Sequence, residues 1–127
     1  VNPPNQNINY LKNNHYRFKV EPLESSQCKH LDECDIENFN NANDSNYSLK
    51  FKIDPQFYTF FIKSDKSFCD YVIVDIEDFV VTVMQLSGSN ESIEGFSHSV
   101  AIPEYINLNK IKVYSKGKAL LIVIPRV

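Results

Sequence analysis

From Leu49 onward the chain alternates between apolar and polar residues. Leu49, Phe51 and Ile53 are interleaved with Lys50, Lys52 and Asp54, the period-2 signature of a half-buried strand. Phe57 to Lys63 reads as an aromatic strand. Tyr71–Ile76 and Phe79–Met84 are rich in β-branched residues, with Glu77-Asp78 between them as a tight turn. Phe96, His98, Val100 and Ile102 alternate with Ser97, Ser99 and Ala101, and Pro103, which has no N–H to donate, stops that strand. Ile111–Tyr114 predicts a short strand and Gly117-Lys118 a turn. Ala119–Ile124 is an apolar run suited to a strand buried on both faces, closed by Pro125. Gly88, Gly95 and Gly117 all fall between these strands, and no strong helical period follows Leu49. Seven strands without crossover helices predict an all-β, antiparallel sandwich over Leu49–Arg126.

Residues 1–48 are of a different kind. They are crowded with asparagine (Asn2, Asn5, Asn7, Asn9, Asn13, Asn14, then Asn38, Asn40, Asn41, Asn43 and Asn46), and such polar tracts bury little apolar surface. A mostly irregular N-terminal segment, 1–48, followed by one sandwich domain, 49–127, is therefore expected. Two islands interrupt the polar tract. Tyr16-Arg17-Phe18-Lys19-Val20 alternates and suits an added strand. Ser25 to Phe39 suits a short helix, with Ser25 or Ser26 as N-cap and Leu31, Cys34 and Ile36 as a weak apolar stripe.

Composition narrows the function classes. One domain is natural for 127 residues, and 43% hydrophobic content is ordinary. A net charge of −3 gives no nucleic-acid footprint, and no apolar run approaches a membrane span. No signal peptide is visible, and a start at Val1 rather than Met suggests that an N-terminal segment has been removed. Three cysteines, an odd number, argue against a full disulfide framework and for a reducing, cytoplasmic setting. The Asn-Xaa-Ser triplets at Asn43, Asn46 and Asn90 follow from the abundance of both residues.

Candidate chemistry is sparse. Cys28, His30 and Cys34 have the spacing C-x-H-x₃-C, which misses the usual metal templates, with His15 and Cys69 too distant to complete a site without folding back. Cys69 as a nucleophile would need a base and an electropositive setting, and Asp70 beside it would raise a thiol pKa. Asp75, Glu77 and Asp78 lie on a strand and its hairpin, where the solvent face explains them. Lys110, Lys112, Lys116 and Lys118 cluster on the final hairpin, with only Tyr114 among them, which suits a protected edge better than base stacking. No cofactor, metal or catalytic residue is expected.

Two segments carry a family resemblance. FSHSVAIP (Phe96–Pro103) resembles the F-S-R-S-F-x-L-P strand of small heat-shock proteins. IKVYSKGKALLIVIPR (Ile111–Arg126) resembles the end of their α-crystallin domain, I-K-A-x-x-x-N-G-V-L-x-I-x-V-P-K. Ile111, Lys112, Leu120, Ile122, Ile124 and Pro125 match, and Arg126 keeps the basic end. Val113, Ala119 and the early turn glycine Gly117 depart from the pattern. Upstream, DYVIVDIEDFVVTV (Asp70–Val83) is similar to the family's central hairpin, whereas Ser64-Asp65-Lys66-Ser67 differs from its Leu-Pro-Gly-Phe loop. The resemblance implies an immunoglobulin-like sandwich of the α-crystallin type and an ATP-independent holdase of unfolded clients. It implies a client groove between Tyr71–Ile76 and Ile111–Tyr114, lined by Val72, Val74, Ile76, Ile111 and Val113, residues that a plain sandwich core would also place inward. It also implies a dimer edge at Phe96, His98, Val100 and Ile102.

A second reading is a related CS-domain co-chaperone adaptor serving a large chaperone, or a structural docking module in an assembly. Only 11 residues, Gln85–Gly95, join two strands where bacterial and plant small heat-shock proteins carry a longer loop with an exchanged strand. That length favours the CS type, whereas the absence of Trp and the two quoted segments favour the α-crystallin type. The family's Ile-x-Ile/Val anchor is spelled only by Ile122-Val123-Ile124, inside the final strand. A monomer or homodimer is expected for these reasons.

Overall fold

A computed structural model describes residues 15–24, 33–41, 49–63, 68, 70–86 and 95–126, with only the backbone of Glu33 and Cys34. Eight strands and one helix follow in order: β1 (His15–Pro22), α1 (Glu33–Asn41), β2 (Leu49–Ile53), β3 (Phe57–Lys63), β4 (Tyr71–Glu77), β5 (Val80–Gln85), β6 (Phe96–Ala101), β7 (Lys112–Lys116) and β8 (Ala119–Pro125). A single 3₁₀ turn, Leu108–Lys110, precedes β7. The seven strands predicted after Leu49 are all present, and every pairing among them is antiparallel.

The strand order is β2-β3-β8-β7-β1-β4-β5-β6. β1 belongs to two sheets. His15–Lys19 pairs antiparallel with β4, in the register His15↔Asp75 to Lys19↔Tyr71. Val20–Pro22 then pairs parallel with β7, in the register Val20↔Val113 to Pro22↔Ser115. The small sheet is the start of β1 with β4, β5 and β6; the large sheet is β2, β3, β8, β7 and the end of β1. Side chains alternate across each strand, so Phe60, Ile62, Leu120, Ile122 and Ile124 of the large sheet meet Val72, Val74, Val81 and Val83 of the small one in a common core. All nine are at most 1% exposed, so the centre of the sandwich is fully buried.

β8 is buried along its whole apolar run because its second face is covered too. Ala119, Leu121 and Val123 point away from the other sheet, with Phe61 of β3, into a second cluster completed by Leu23 and by Ile36 and Phe39 of α1. The Phe39 and Phe61 rings pack 5.7 Å apart. Lys52 pairs with Asp35 at 2.7 Å, and Lys63 Nζ donates to the Phe39 carbonyl at 2.9 Å. The helix described, Glu33–Asn41, extends two residues past the expected Phe39. Ser25, Ser26 and Leu31 lie outside the described residues, as does the Cys34 side chain, and Phe39 joins Ile36 as its buried stripe.

The β7–β8 turn falls at Gly117-Lys118 as expected, and the β4–β5 turn is shifted by one residue. Between β7 and β8, Gly117 takes φ +61°, the first loop position that a II′-type turn reserves for glycine. Asn40 of α1 closes this turn from outside. Its Oδ1 accepts from Lys118 N–H at 2.9 Å and its Nδ2 donates to the Lys116 carbonyl at 3.2 Å. A Cβ on Gly117 would come within 3.0 Å of that carboxamide. In the β4–β5 hairpin the turn is Asp78-Phe79, not Glu77-Asp78. The register pairs Ile76↔Val81 and Val74↔Val83 across the core face, and Glu77↔Val80 closes the ladder. Phe79 is thereby excluded from β5 and placed at φ +63°, 64% exposed.

At the opposite end Arg126 ties β8 down. It forms a forked pair with Glu104, at 2.7 and 3.3 Å, and Nη1 donates to the Asp54 carbonyl at 2.9 Å. The Arg126 hydrogen bonds hold the Glu104 carboxyl below its ordinary pKa.

A bulky residue at positive φ carries strain of roughly 1–2 kcal/mol, which glycine lacks. Glycine returns part of this through unfolded-state entropy, roughly 0.4–1 kcal/mol. Phe79→Gly is therefore expected to stabilise the fold by about 0.5 kcal/mol, read as a raised denaturant midpoint at unchanged slope. A lowered midpoint would mean that Phe79 makes a contact worth more than its strain.

Candidate functional site

The candidate site is the seam where the two sheets meet, between β4 and β7. The sequence reading assigned Val72, Val74, Ile76, Ile111 and Val113 to an open groove here. The structure brings all five to the seam's inner face. Val72, Val74, Ile111 and Val113 are 0–4% exposed members of the common core, and Ile76 packs partly buried against it. The seam is not open, because β1 runs along it. Phe18 and Val20 point inward from β1 onto the same core. A charge at Val74 or Val113 would thus attack the fold itself, not only a groove.

The geometry of β1 explains how one short segment serves two sheets. Val20 N–H donates to the Asp70 carbonyl at 2.7 Å, so the main chain of even-numbered β1 residues faces β4. Leu23 N–H donates to the Ser115 carbonyl at 2.9 Å, so the odd-numbered residues face β7. Side chains outside the seam secure it. The Arg17 guanidinium lies over the Tyr71 ring, 3.7 Å from its centroid. His15 Nε2 lies 3.5 Å from Asp75 Oδ1, an oxygen that is buried and has no hydrogen-bond partner among the described residues.

β6 is the outermost strand of the small sheet, paired with β5 alone among the described residues. Its expected edge residues divide by face. Phe96, His98 and Val100 turn inward and are half-buried, and Ile102, just past the strand, is 1% exposed. What β6 presents at the edge is its backbone, between outward Ser97, Ser99 and Ala101. Phe96 is held edge-on by Phe68 at 6.5 Å and stacks on His98 at 5.8 Å. Burial keeps the His98 pKa below the ordinary histidine value.

The other candidates do not assemble into chemistry. Cys28, His30 and Cys69 lie outside the described residues, as do Asn43, Asn46 and Asn90. Among the described residues, no three His, Cys, Asp or Glu side chains gather around a common point. Asp75 faces His15, while Glu77 and Asp78 are exposed at the hairpin. Lys110, Lys112 and Lys118 are exposed and Lys116 half-buried around the last hairpin. No helix among the described residues is long and apolar enough to cross a membrane.

The two segments that carry the resemblance form the strands it implies: Phe96–Pro103 holds β6, and Ile111–Arg126 holds β7 and β8. The described strands form the two-layered β-sandwich that the resemblance implies. No protein-family model matches the sequence, and no curated protein matches it. Among solved structures the chain is similar to heat shock protein 16.0 from Schizosaccharomyces pombe, at 18% identity and TM-score 0.48, covering 63% of this chain and 86% of that one. It is also similar to a small heat-shock protein from Xylella fastidiosa, at 16% identity and TM-score 0.44, covering 61% of this chain and 83% of that one.

His98 supplies a pH test of the β6 edge. A histidine whose folded pKa lies below its unfolded one favours the uncharged form, so its contribution is complete above about pH 6.5 and is lost as pH falls through the folded value. Between pH 7.5 and 5.5 the parent should therefore lose more stability than His98→Gln, whose common groups cancel in the comparison. Equal losses in chemical denaturation would show that His98 is not desolvated at this edge.

Proposed function

We propose that the chain is an ATP-independent chaperone of the small heat-shock type, holding extended apolar segments of unfolded clients along the seam between β4 and β7. The observation that carries this reading is β1. It is an extended segment with alternating apolar residues, and it pairs by backbone with both seam strands while Phe18 and Val20 fill the core side. A client segment of the same pattern would make the same contacts by strand addition. No residue of the chain is assigned a catalytic part.

Exchange with β1 sets the selectivity. Each backbone hydrogen bond gains only about 0.5–1.5 kcal/mol net, and a client replaces like with like. The tethered β1 competes at an effective concentration on the order of millimolar. A micromolar client must then bind about a thousandfold better, roughly 4 kcal/mol. At ~25 cal/mol per Å² that is about 160 Å² of additional apolar surface. A native protein with one exposed side chain would fail to displace β1, whereas an unfolded segment with several would succeed.

The second reading, a CS-type adaptor or docking module, is favoured by a seam already filled and by the short Gln85–Gly95 connection. In the chaperone reading the protein is a monomer or a homodimer joined through the backbone edge of β6, and it acts in the cytoplasm.

The test is aggregation of an unfolding client, read by light scattering without nucleotide. The parent is expected to delay it. With Cys28, Cys34 and Cys69 changed to Ser, Lys19→Cys and Tyr71→Cys would staple β1 to β4 at a directly opposed pair. The oxidised form should protect markedly less than the same sample reduced. Equal protection would place clients elsewhere. No protection by the parent, together with binding to a large chaperone, would give the adaptor reading.

A further inference from the structure

β1 and β7 part company above Val20 and Val113. Their ladder covers only Val20–Pro22, while His15–Lys19 follows β4. The fork so formed holds a cleft of about 280 Å³. Tyr16 and Phe18 on one side and Leu108 and Ile111 on the other give it apolar walls. Its polar lining is Arg17, Asn109 and Lys112, with no acidic residue. Main-chain alternation turns Arg17 of β1 toward the cleft, because even-numbered residues face β4. Ile111, just before β7, lines the cleft beside the 3₁₀ turn, and its own N–H donates to the Leu108 carbonyl at 3.4 Å.

We infer that this fork is a second docking site, which takes the end of an extended apolar peptide segment bearing a carboxylate while β1 stays in place. The occupant follows from three features. The volume lies just under the ~300–1,000 Å³ of a whole small-molecule site, so it suits one or two side chains of a longer segment. Two diverging strands present main chain to it, which favours an extended polypeptide. Among the residues that line it none is acidic and Lys112 is cationic, which favours an acidic group beside the apolar ones, while the Arg17 guanidinium is turned to Tyr71 and Arg17 offers the cleft its main chain. Lys110, exposed on the preceding 3₁₀ turn, adds to the same field. The source of the segment, an unfolded client, rests on the chaperone reading above; the chemistry of the fork does not.

The site separates capture from exchange. A client held at the fork is positioned at the open end of the seam, next to the residues of β1 that it must replace. Its apolar side chains enter between Phe18 and Ile111 before any ladder bond of β1 breaks.

The experiment titrates the ¹⁵N-labelled full chain with a six-residue peptide alternating isoleucine and serine and ending in glutamate. A second peptide ends in lysine, and a third replaces both isoleucines with serine. The glutamate peptide is expected to shift the amide signals of Arg17, Asn109 and Lys112 and to bind about fivefold tighter than the lysine peptide, the scale of one exposed ion pair. Lys112→Glu, an exposed position, should reverse that preference without changing the fold. Leu108→Asp should weaken the glutamate peptide. Absence of shifts at millimolar peptide, or equal binding by the serine-only peptide, would overturn the proposal. Fork binding by a chain that protects no client would sink the chaperone reading and leave the site standing. Protection with no fork binding would do the opposite.

Discussion

Among the described residues, β1 is the strand whose ladder joins the two sheets. Its first five residues complete the small sheet on β4, and its last three complete the large sheet on β7. Between them the facing side chains of the two layers meet in one common core. Without β1, β4 and β7 would both become edges, with unpaired main chain beside the buried valines Val72, Val74 and Val113. The same strand therefore closes the sandwich and occupies the position where another extended segment would bind. Stability and function compete for one seam, and the weak net value of each ladder bond makes the competition reversible.

The rest of the molecule keeps the seam strands fixed while β1 remains the exchangeable part. β8 supplies the rigid centre, covered by the small sheet on one face and by α1 on the other. Asn40 locks the β7–β8 turn from the helix, so β7 is held at both its hairpin and its ladder. β1 lacks comparable cover. Phe18 and Val20 are only partly buried, and the anchors of its outer face, Arg17 on Tyr71 and His15 beside Asp75, are near the surface. Partly buried side chains and anchors near the surface are the physical marks of a locally opening segment.

Much of the scaffold was legible in the sequence because period-2 patterning is local. β2 to β8 could each be located to within one or two residues at their ends, and the continuous apolar run of β8 correctly implied two covered faces. The β4–β5 turn was misplaced by one residue because Phe79 reads as a strand residue. Only the pairing of Val81 and Val83 with the β4 core face, a tertiary constraint, forces it into the turn. The Tyr16–Val20 alternation announced a strand but not its partners, which lie more than 50 residues downstream and in two sheets. The five groove residues were identifiable as inward-facing, but nothing local said that β1 would cover them. The fork was invisible for the same reason, since it exists only where β1 leaves β7. The cover that α1 gives β8 was also hidden, because Ile36 and Phe39 make too sparse a stripe to announce a docking face.

Native-state hydrogen exchange at β1 tests the central claim most directly. The Phe18 and Val20 amides, which face β4, should exchange through an opening clearly smaller than that of the β8 amides. Their protection should fall further when an unfolded client is added. If β1 exchanges only with the global unfolding that releases β8, and a bound client leaves its protection unchanged, the seam is a permanent part of the fold and not the place where clients are held.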